Sequence, residues 1–593
     1  MDITIYRQSN KENYLLKPAS PFLYKIQGME THVPVDEDIC IKRAREVFGI
    51  PYLFPWQRLV IANILDAIAS KNAPMDEEEQ FDEDGVLRGQ QIVLLPTGAG
   101  KSLCFQLPAV LLEGQTLVIY PLLALMGDQE RRLREAGVET VIFRGEQDAN
   151  TRQDCLDRME GKNGRSAAQL IIANPEVLAG EKLLDRIARR NIAHIAIDEA
   201  HCVSEWGDSF RPAYLGLGDI IKRINAPAVT AFTATASPGV LTRVAEVLFD
   251  GRAHLVRGES DRANLVYRVR PCRSKEIALV DEVRKSCWPL VVFCSSRGGC
   301  EKTALLLREA LCCEDIKFYH AGLSKEEKIN VETWFHTHPK AILCTTCAWG
   351  MGVDKKDVKT VIHRDVPPTA EAYIQEAGRG GRDGTVAQAI LLWSDLDGRR
   401  IARLGEKERL RARELVRFAQ GKRCRRLVLL EALGDPRASG QGPEGEGIAC
   451  SGCDVCDGKA EVLPTEDRLV LDFTRLHPRS YSQNDMAEIL YAGANAHERM
   501  RGWQYSWRVS DVHASITALL EAGTLQKSRY WPQKGRLYLS AAFSLPAGPH
   551  LLRRQGRPAH LRLPGLHSFF RRRQQGPSCG RDVAGVFGSE QSS

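Results

Sequence analysis

No run in this 593-residue sequence approaches the roughly 18 consecutive apolar residues of a membrane-spanning helix, and "LVIYPLLALMGDQ" ends too soon. The opening "MDITIYRQSNKENY" lacks the apolar centre of a secretory leader. Charge of one sign is scarce too: 81 Lys and Arg against 75 Asp and Glu leave +6, too little over this length to indicate a partner. No internal repeat is visible beyond the two lobes described below. The 17 cysteines lack the pattern of a disulfide framework. Most are scattered, and Cys104, Cys294 and Cys344 lie inside apolar runs, so they read as buried reduced thiols. The expected setting is cytoplasmic (nucleoid-associated in a bacterium, nuclear in a eukaryote), with no membrane partner.

What is present is an alternation. From about residue 90 to 390, short β-rich apolar runs ("QIVLLPT", "TLVIYP", "QLIIANP", "IAHIAIDEA", "AVTAFTATA", then "PLVVFCSS", "IKFYHAG", "AILCTTC", "TVIHRDV") are separated by helix-length segments. Strands that are apolar throughout belong to parallel sheets covered on both faces, so the fold class is α/β. The span is too long for one doubly wound sheet, and "RGESDRANLVYRVRP" (257–271) marks a break between two lobes.

The expected organisation is an N-terminal extension 1–45, a first lobe 46–262 with an acidic solvated insertion at about 71–90, and a second lobe 263–398. A basic helical module 399–460 follows, then a small domain 461–545 and a basic disordered tail 546–593. In 461–545, "SQNDMAEIL" and "RVSDVHASITALLEAGTLQK" read as helices, with Asn484 and Ser510 as caps. "TLQKSRYWPQKGRLYLS" reads as a strand pair turning at Gly535. This element order suits a winged helix or a plain helical bundle.

"LLPTGAGKS" (94–102) stands between a strand and a helix. Gly98 and Gly100 let Thr97, Ala99 and their neighbours curl backbone N–H groups toward a polyphosphate. Lys101 would reach the β/γ-phosphates and Ser102 would ligate Mg²⁺. The long phosphate-loop pattern needs glycine at 95, where the chain has Leu95, so only the shorter P-T-G-x-G-K-S form is met; the alternative is an ordinary glycine turn. "IAHIAIDEAH" supplies Asp198 for the Mg²⁺ water shell and Glu199 to activate the attacking water. "YIQEAGRGGRDG" (373–384) offers Arg379 and Arg382 as cations for the transferring phosphoryl group. An arginine supplied by the other lobe would tie hydrolysis to lobe closure.

Cys424 opens a helix, and "CSGCDVC" adds Cys450, Cys453 and Cys456. Four thiolates can hold Zn²⁺ tetrahedrally, with no open position for catalysis; the alternative is four free thiols. Arg411, Arg413, Arg417, Lys422, Arg423, Arg425 and Arg426 load the same helices with charge, as a solvated face or a phosphate track.

Taken in order, these motifs resemble the superfamily 2 helicases, and most closely the RecQ-like DNA helicases, from about residue 46 to 460. "FGIPYLFPWQ" resembles the adenine-binding motif, with Gln57 as base reader, and "PTGAGKSLCFQLPA" and "YPLLALMGDQ" the motifs that follow. "IIANPEVL" resembles the segment touching the translocating strand, with Asn174. "DEAHCVSEWGDSFRPAY" resembles the acidic box and aromatic-rich loop, where Trp206, Phe210 and Arg211 would contact single-stranded DNA by stacking and charge. "FTATAS", "VVFCSS", "YHAGLS", "TTCAWGMGVDKKDV" and "YIQEAGRGGRDG" resemble the remaining motifs.

The resemblance implies two RecA-like lobes, a structural zinc module and a winged-helix-like C-terminal domain. It also implies ATP and Mg²⁺ as cofactors and 3′–5′ unwinding of DNA beside a single-stranded tail, in repair, recombination or defence. Single-strand-binding or repair proteins would be partners. Gln375, Arg379 and Arg382 would close over the γ-phosphate, while Trp349, Gly352 and Asp354 would transmit closure. His201 and Thr233 to Thr235 would couple hydrolysis to DNA. The chain departs from the family at Leu53-Phe54, where Phe-Arg is usual, and at "SEWGDSFRP", where "SQWGHDFRP" is usual. The alternative activity is an ATP-gated DNA clamp or remodeller that does not unwind; an RNA helicase would keep the same motor.

Overall fold

The computed structural model describes residues 16–18, 38–72, 89–96, 98–121, 123–145, 147–206, 212–258, 261–347, 355–439, 449–500 and 508–540. Most of the acidic insertion and all of the basic tail lie outside these residues.

The first sheet comprises β1 (Leu16–Pro18), β2 (Gln90–Leu94), β3 (Gln115–Ile119), β4 (Thr140–Phe143), β5 (Leu170–Ala173), β6 (Ile192–Ile197), β7 (Ala228–Thr233) and β8 (Ala253–Arg257). Its order is β1-β8-β2-β7-β6-β3-β5-β4, all parallel. Consecutive residues face opposite layers: Ile92, Leu117 and Ile171 pack on one face, Val93, Val118 and Ile172 on the other. Both layers are apolar because helices cover both faces, which is why the strands read as unbroken hydrophobic runs.

The second sheet comprises β9 (Leu265–Pro271), β10 (Leu290–Phe293), β11 (Ile316–Tyr319), β12 (Ile342–Thr345), β13 (Thr360–His363) and β14 (Ala387–Trp393). It is parallel, in the order β11-β12-β10-β13-β14-β9. The first sheet thus ends at Arg257 and the second begins at Leu265. Two parallel sheets, each sandwiched by helices, are the α/β architecture expected from the strand pattern.

Helices Glu406–Gln420 and Arg425–Ala432 pack beside helix Ala370–Ala377 of the second lobe, sharing a core in which Phe418 meets Tyr267 and Tyr373. Helices Thr465–Leu476, Gln483–Met500 and Val509–Glu521 then enclose their own core with an antiparallel pair, β15 (Leu525–Lys527) and β16 (Leu537–Leu539). Gly535 sits in the connecting turn at φ +83°.

The caps lie two residues earlier than expected. Ser482, not Asn484, caps its helix, accepting from Asp485 N at 3.3 Å while its own N–H donates to the Asp485 carboxylate at 3.2 Å. Ser510 lies inside the helix that Arg508 precedes. The reciprocal Ser–Asp pairing three residues apart outcompetes an asparagine already within the first turn.

Candidate nucleotide and metal sites

The phosphate loop leaves β2 and runs into helix Lys101–Leu111, with Gly98 at φ +88° and Gly100 at φ +73°. Those left-handed angles turn successive N–H groups to one side, which glycine alone does without strain. Lys101 is anchored on the loop, its Nζ donating to Leu95 O at 3.1 Å and Pro96 O at 3.4 Å. Burial lowers its pKa; Glu199 and Asp198 oppose this, while the Arg382 charge lowers it further. Ser102 is half-buried in the first turn.

Gln57, 3% exposed, holds the loop from below. Its Nε2 donates to Ala99 O at 3.4 Å and Gly100 O at 3.3 Å, and its Oε1 accepts from Phe54 N at 2.9 Å. Trp56 Nε1 adds a bond to Ala99 O at 3.1 Å and stacks on Phe54, ring centroids 4.7 Å apart. Phe54 and Tyr52 are exposed, leaving an aromatic edge beside the loop.

Asp198 and Glu199 follow β6 at the same sheet edge. Burial and the neighbouring Glu199 push the Asp198 carboxyl up to about 7, with Lys101 opposing. Glu199 takes a left-handed φ of +49°, uncommon for a non-glycine residue and an indication of local strain. Its buried Oε2 accepts no hydrogen bond and lies 3.4 Å from His201 Nδ1. Two adjacent half-buried carboxylates, one with an oxygen that accepts no hydrogen bond, suit a hydrated divalent cation. His201, 4% exposed, bonds Thr233 Oγ1 at 3.1 Å, and Thr233 donates to Thr235 O at 3.2 Å. The acidic box is therefore tied by hydrogen bonds to the end of β7.

From the second lobe, helix Ala370–Ala377 carries half-buried Gln375 and runs into the turn bearing Arg379, which is 6% exposed, and Arg382. The Arg382 charge lowers the pKa of Lys101 in the first lobe and of Arg262, so it lies within electrostatic reach of both. Arg262 and Asn264 grip this turn, and sequence reasoning missed both. Short polar residues between two strands carry no signal of which carbonyls they will bond.

The four cysteines converge. The Sγ atoms of Cys424, Cys450, Cys453 and Cys456 all lie within 4.8 Å of one another, with Cys424 and Cys453 3.9 Å apart. Four Zn–S bonds of ~2.3 Å span edges of about 3.8 Å, so the donor set fits a tetrahedral thiolate site. Cys456 N–H donates to Cys453 Sγ at 3.4 Å, as a thiolate ligand requires of its surroundings. The knuckle also extends the second sheet beyond edge strand β9: Asp454 N donates to Tyr267 O at 3.0 Å and Val269 N to the Asp454 carboxylate at 3.0 Å.

The basic track is corrected in part. Arg425 and Arg426 are 4% and 1% exposed. Arg425 Nε pairs with Asp454 at 2.9 Å; Arg426 reaches the Asp261 carboxylate and the carbonyls of Arg262 and Leu265. Both are structural, because a guanidinium surrounded by acceptors is retained inside the fold. Arg411, Arg413, Arg417, Lys422 and Arg423 are exposed, with Arg417 and Arg423 paired to Glu431.

Asn174 directly follows β5, at the N-cap of helix Pro175–Leu178, and is 7% exposed, its Oδ1 buried without a hydrogen bond. Trp206 closes helix Cys202–Trp206, its side chain not described, and Phe210 and Arg211 lie outside the described residues. So do Thr97, Trp349, Gly352 and Asp354.

Residues 57–244 match the DEAD/DEAH box helicase family, and residues 274–384 match the helicase conserved C-terminal domain. The chain is 34% identical over 434 residues to the ATP-dependent DNA helicase hus2/rqh1 of Schizosaccharomyces pombe, covering 69% of this chain and 32% of that protein. It is 31% identical over 407 residues to the ATP-dependent DNA helicase RecQ of Pasteurella multocida, covering 66% and 62%. It is 36% identical over 321 residues to the probable ATP-dependent DNA helicase RecS of Bacillus subtilis, covering 52% and 62%. The chain thus spans less than two thirds of the length of these relatives. With both helicase domains matched over two parallel-sheet lobes, the chain belongs to the RecQ-like helicases of superfamily 2.

Proposed function

We propose that the chain is an ATP-driven DNA helicase whose hydrolysis is gated by closure of its two lobes. The observation that supports this reading is that Lys101, anchored on the phosphate loop, feels the charges of Asp198 and Glu199 from its own lobe and of Arg382 from the second. Lys101, Ser102 and the loop around Gly98 and Gly100 hold the triphosphate, and Gln57 and the Phe54–Trp56 edge face the base. Asp198 with Ser102 would hold Mg²⁺, which supplies charge neutralisation at the β/γ-phosphates when bound. Glu199 orients the attacking water, and its buried, unbonded oxygen is placed to accept that proton. Arg379 and Arg382 meet the charge on the transferring group, Gln375 lies on the adjoining helix, and Asp354 serves in the same closure.

The His201–Thr233–Thr235 bonds connect the acids to the motif expected to sense DNA, and Asn174, Trp206, Phe210 and Arg211 are proposed to line the single strand. Cys424, Cys450, Cys453 and Cys456 would hold one structural Zn²⁺. Residues 465–540 are proposed as a winged-helix-like duplex contact, with repair or single-strand-binding proteins as partners.

Purified protein should show ATPase activity stimulated by single-stranded DNA, abolished by Lys101→Ala, and should displace a strand from a 3′-tailed duplex. ATPase without displacement on any tailed duplex would identify a DNA clamp instead, and stimulation by RNA alone an RNA motor. Asp208 stands where the family has a titratable donor, so Asp208→His should raise DNA-stimulated turnover at least twofold; an unchanged rate would remove Asp208 from the coupling.

A further inference from the structure

The two sheets are joined between Arg257 and Leu265, and this connection grips the arginine-bearing turn of the second lobe. Arg262 Nη1 donates to Gly378 O at 3.2 Å, and its Nη2 donates to Gly380 O at 3.0 Å and Gly381 O at 2.9 Å. Its Nε bonds Asn264 Oδ1 at 3.3 Å, and Asn264 Nδ2 donates to Gly381 O at 2.7 Å and Thr385 O at 2.8 Å. The gripped carbonyls flank Arg379 and directly precede Arg382. The fit leaves no slack: Gly381 has φ +55°, and a Cβ there would meet Thr385 O at 2.4 Å and Asn264 Nδ2 at 2.6 Å.

The bracket is itself held from the zinc module. Arg426, two residues after the ligand Cys424, donates to Arg262 O at 3.0 Å and also bonds Leu265 O and the Asp261 carboxylate. Its guanidinium lies 5.3 Å from the centre of the Tyr267 ring. Arg257, ending β8, reaches the same module from the first lobe through Leu433 O at 3.3 Å.

We propose that Arg262 and Asn264 are positioning residues for the γ-phosphate cations, carrying the Arg379–Arg382 turn on the connection between the lobes so that closure delivers both arginines as one unit. This rests on the reading of Arg379 and Arg382 as those cations. Arg262 and Asn264 act through the backbone carbonyls of the turn. Arg262 also bears charge close to Arg382, and burial followed by that neighbour lowers its pKa against the opposing effect of Tyr267. A misplacement of about 1 Å in a catalytic cation costs roughly 10²-fold in rate.

The test uses the full chain with an oligo(dT) activator and compares Arg262→Gln, Arg262→Lys and Asn264→Ala. The expected result for Arg262→Gln is a kcat about 30- to 100-fold lower, with KM for ATP within about threefold. Its affinity for ADP·aluminium fluoride should fall by a similar factor while affinity for ATPγS is unchanged, because only the transition-state analogue needs the arginines in place. Arg262→Lys should recover part of kcat, since an ammonium can still reach one or two carbonyls. Asn264→Ala should lower kcat about tenfold, and it carries the test alone if Arg262→Gln fails to fold. A kcat within threefold of the parent for both Arg262→Gln and Asn264→Ala, or equal losses for the two analogues, would overturn the proposal. Arg382→Ala separates the readings: if it is inactive while Arg262→Gln is normal, only the bracket fails; if it too is normal, the cation assignment fails.

Discussion

Gln57 and Gly100 are locked together: the Gln57 amide donates to Gly100 O at 3.3 Å, and a Cβ on Gly100 would come within 2.4 Å of that nitrogen. Gly100→Ala must therefore displace Gln57 and also strain an L residue at φ +73°. Nucleotide affinity should fall more than tenfold in a fluorescent-ATP titration, with the melting temperature nearly kept. Gln57→Ala should weaken binding less, because the loop keeps its Trp56 bond.

The ring of His194 is fully buried, with Nε2 at 3.1 Å from Thr230 Oγ1 and Nδ1 unbonded. Burial lowers its pKa to about 3 from the usual 6.5. The unfolded chain takes up this proton near 6.5 and the folded chain does not, so stability rises with pH across that window and is lost as pH falls. The residue alone should account for about 2 kcal/mol of destabilisation between roughly pH 7 and pH 5. Urea unfolding of the parent and of His194→Leu at both pH values checks this; the variant should lose the corresponding slope.

Cys453 is 0% exposed and lies at the centre of the thiolate cluster, with its neighbours bonded to edge strand β9. Cys453→Ser should abolish stoichiometric zinc, measured by metal analysis, and lower the melting temperature by several degrees. A strong chelator should do the same to the parent. The second lobe should respond with the module, since both share one core.

Asp467 is 1% exposed and accepts from Arg273 Nε at 2.8 Å, Arg273 Nη2 at 2.6 Å and Ser515 Oγ at 2.5 Å. Nearby, Arg270 pairs with Glu461 and with Asp281, and bonds Thr465 at 2.7 Å. These contacts fasten the C-terminal helical unit to the second lobe. Asp467→Ala leaves the half-buried Arg273 with Asp395 as its remaining side-chain partner among the described residues and removes the acceptor of Ser515 Oγ, at a cost of about 1–3 kcal/mol. Hydrogen exchange should show residues 465–540 exchanging faster, while a Lys275→Gln control changes little there.

Some of this was legible in the amino acids because the signal was local. The glycine-rich loop, the acidic pair and the cysteine knuckle each lie within a few residues, so spacing alone was enough to pick them out, and the four cysteines do converge. Strands that are apolar throughout announced parallel sheets, since both faces must be buried. The adjacent Arg425 and Arg426 looked like part of an exposed basic face, because helical charge spacing does not reveal where an acceptor waits. Asp454 and Asp261 supply those acceptors from 29 and 165 residues away.

By itself, then, the sequence determined the order of the chemistry-bearing groups along the chain: a glycine-rich loop with Lys101, an adjacent acid pair, a distal arginine turn and a cluster of four cysteines. Only the tertiary structure decided that the Arg382 charge reaches Lys101, that Arg262 and Asn264 bond the arginine turn, and that Arg426 ties the cysteine module to the connection between lobes. Those relationships run through backbone carbonyls and through charges on separate sheets. A carbonyl is common to every residue, so a bond to it leaves no mark in the sequence until the fold brings donor and acceptor together.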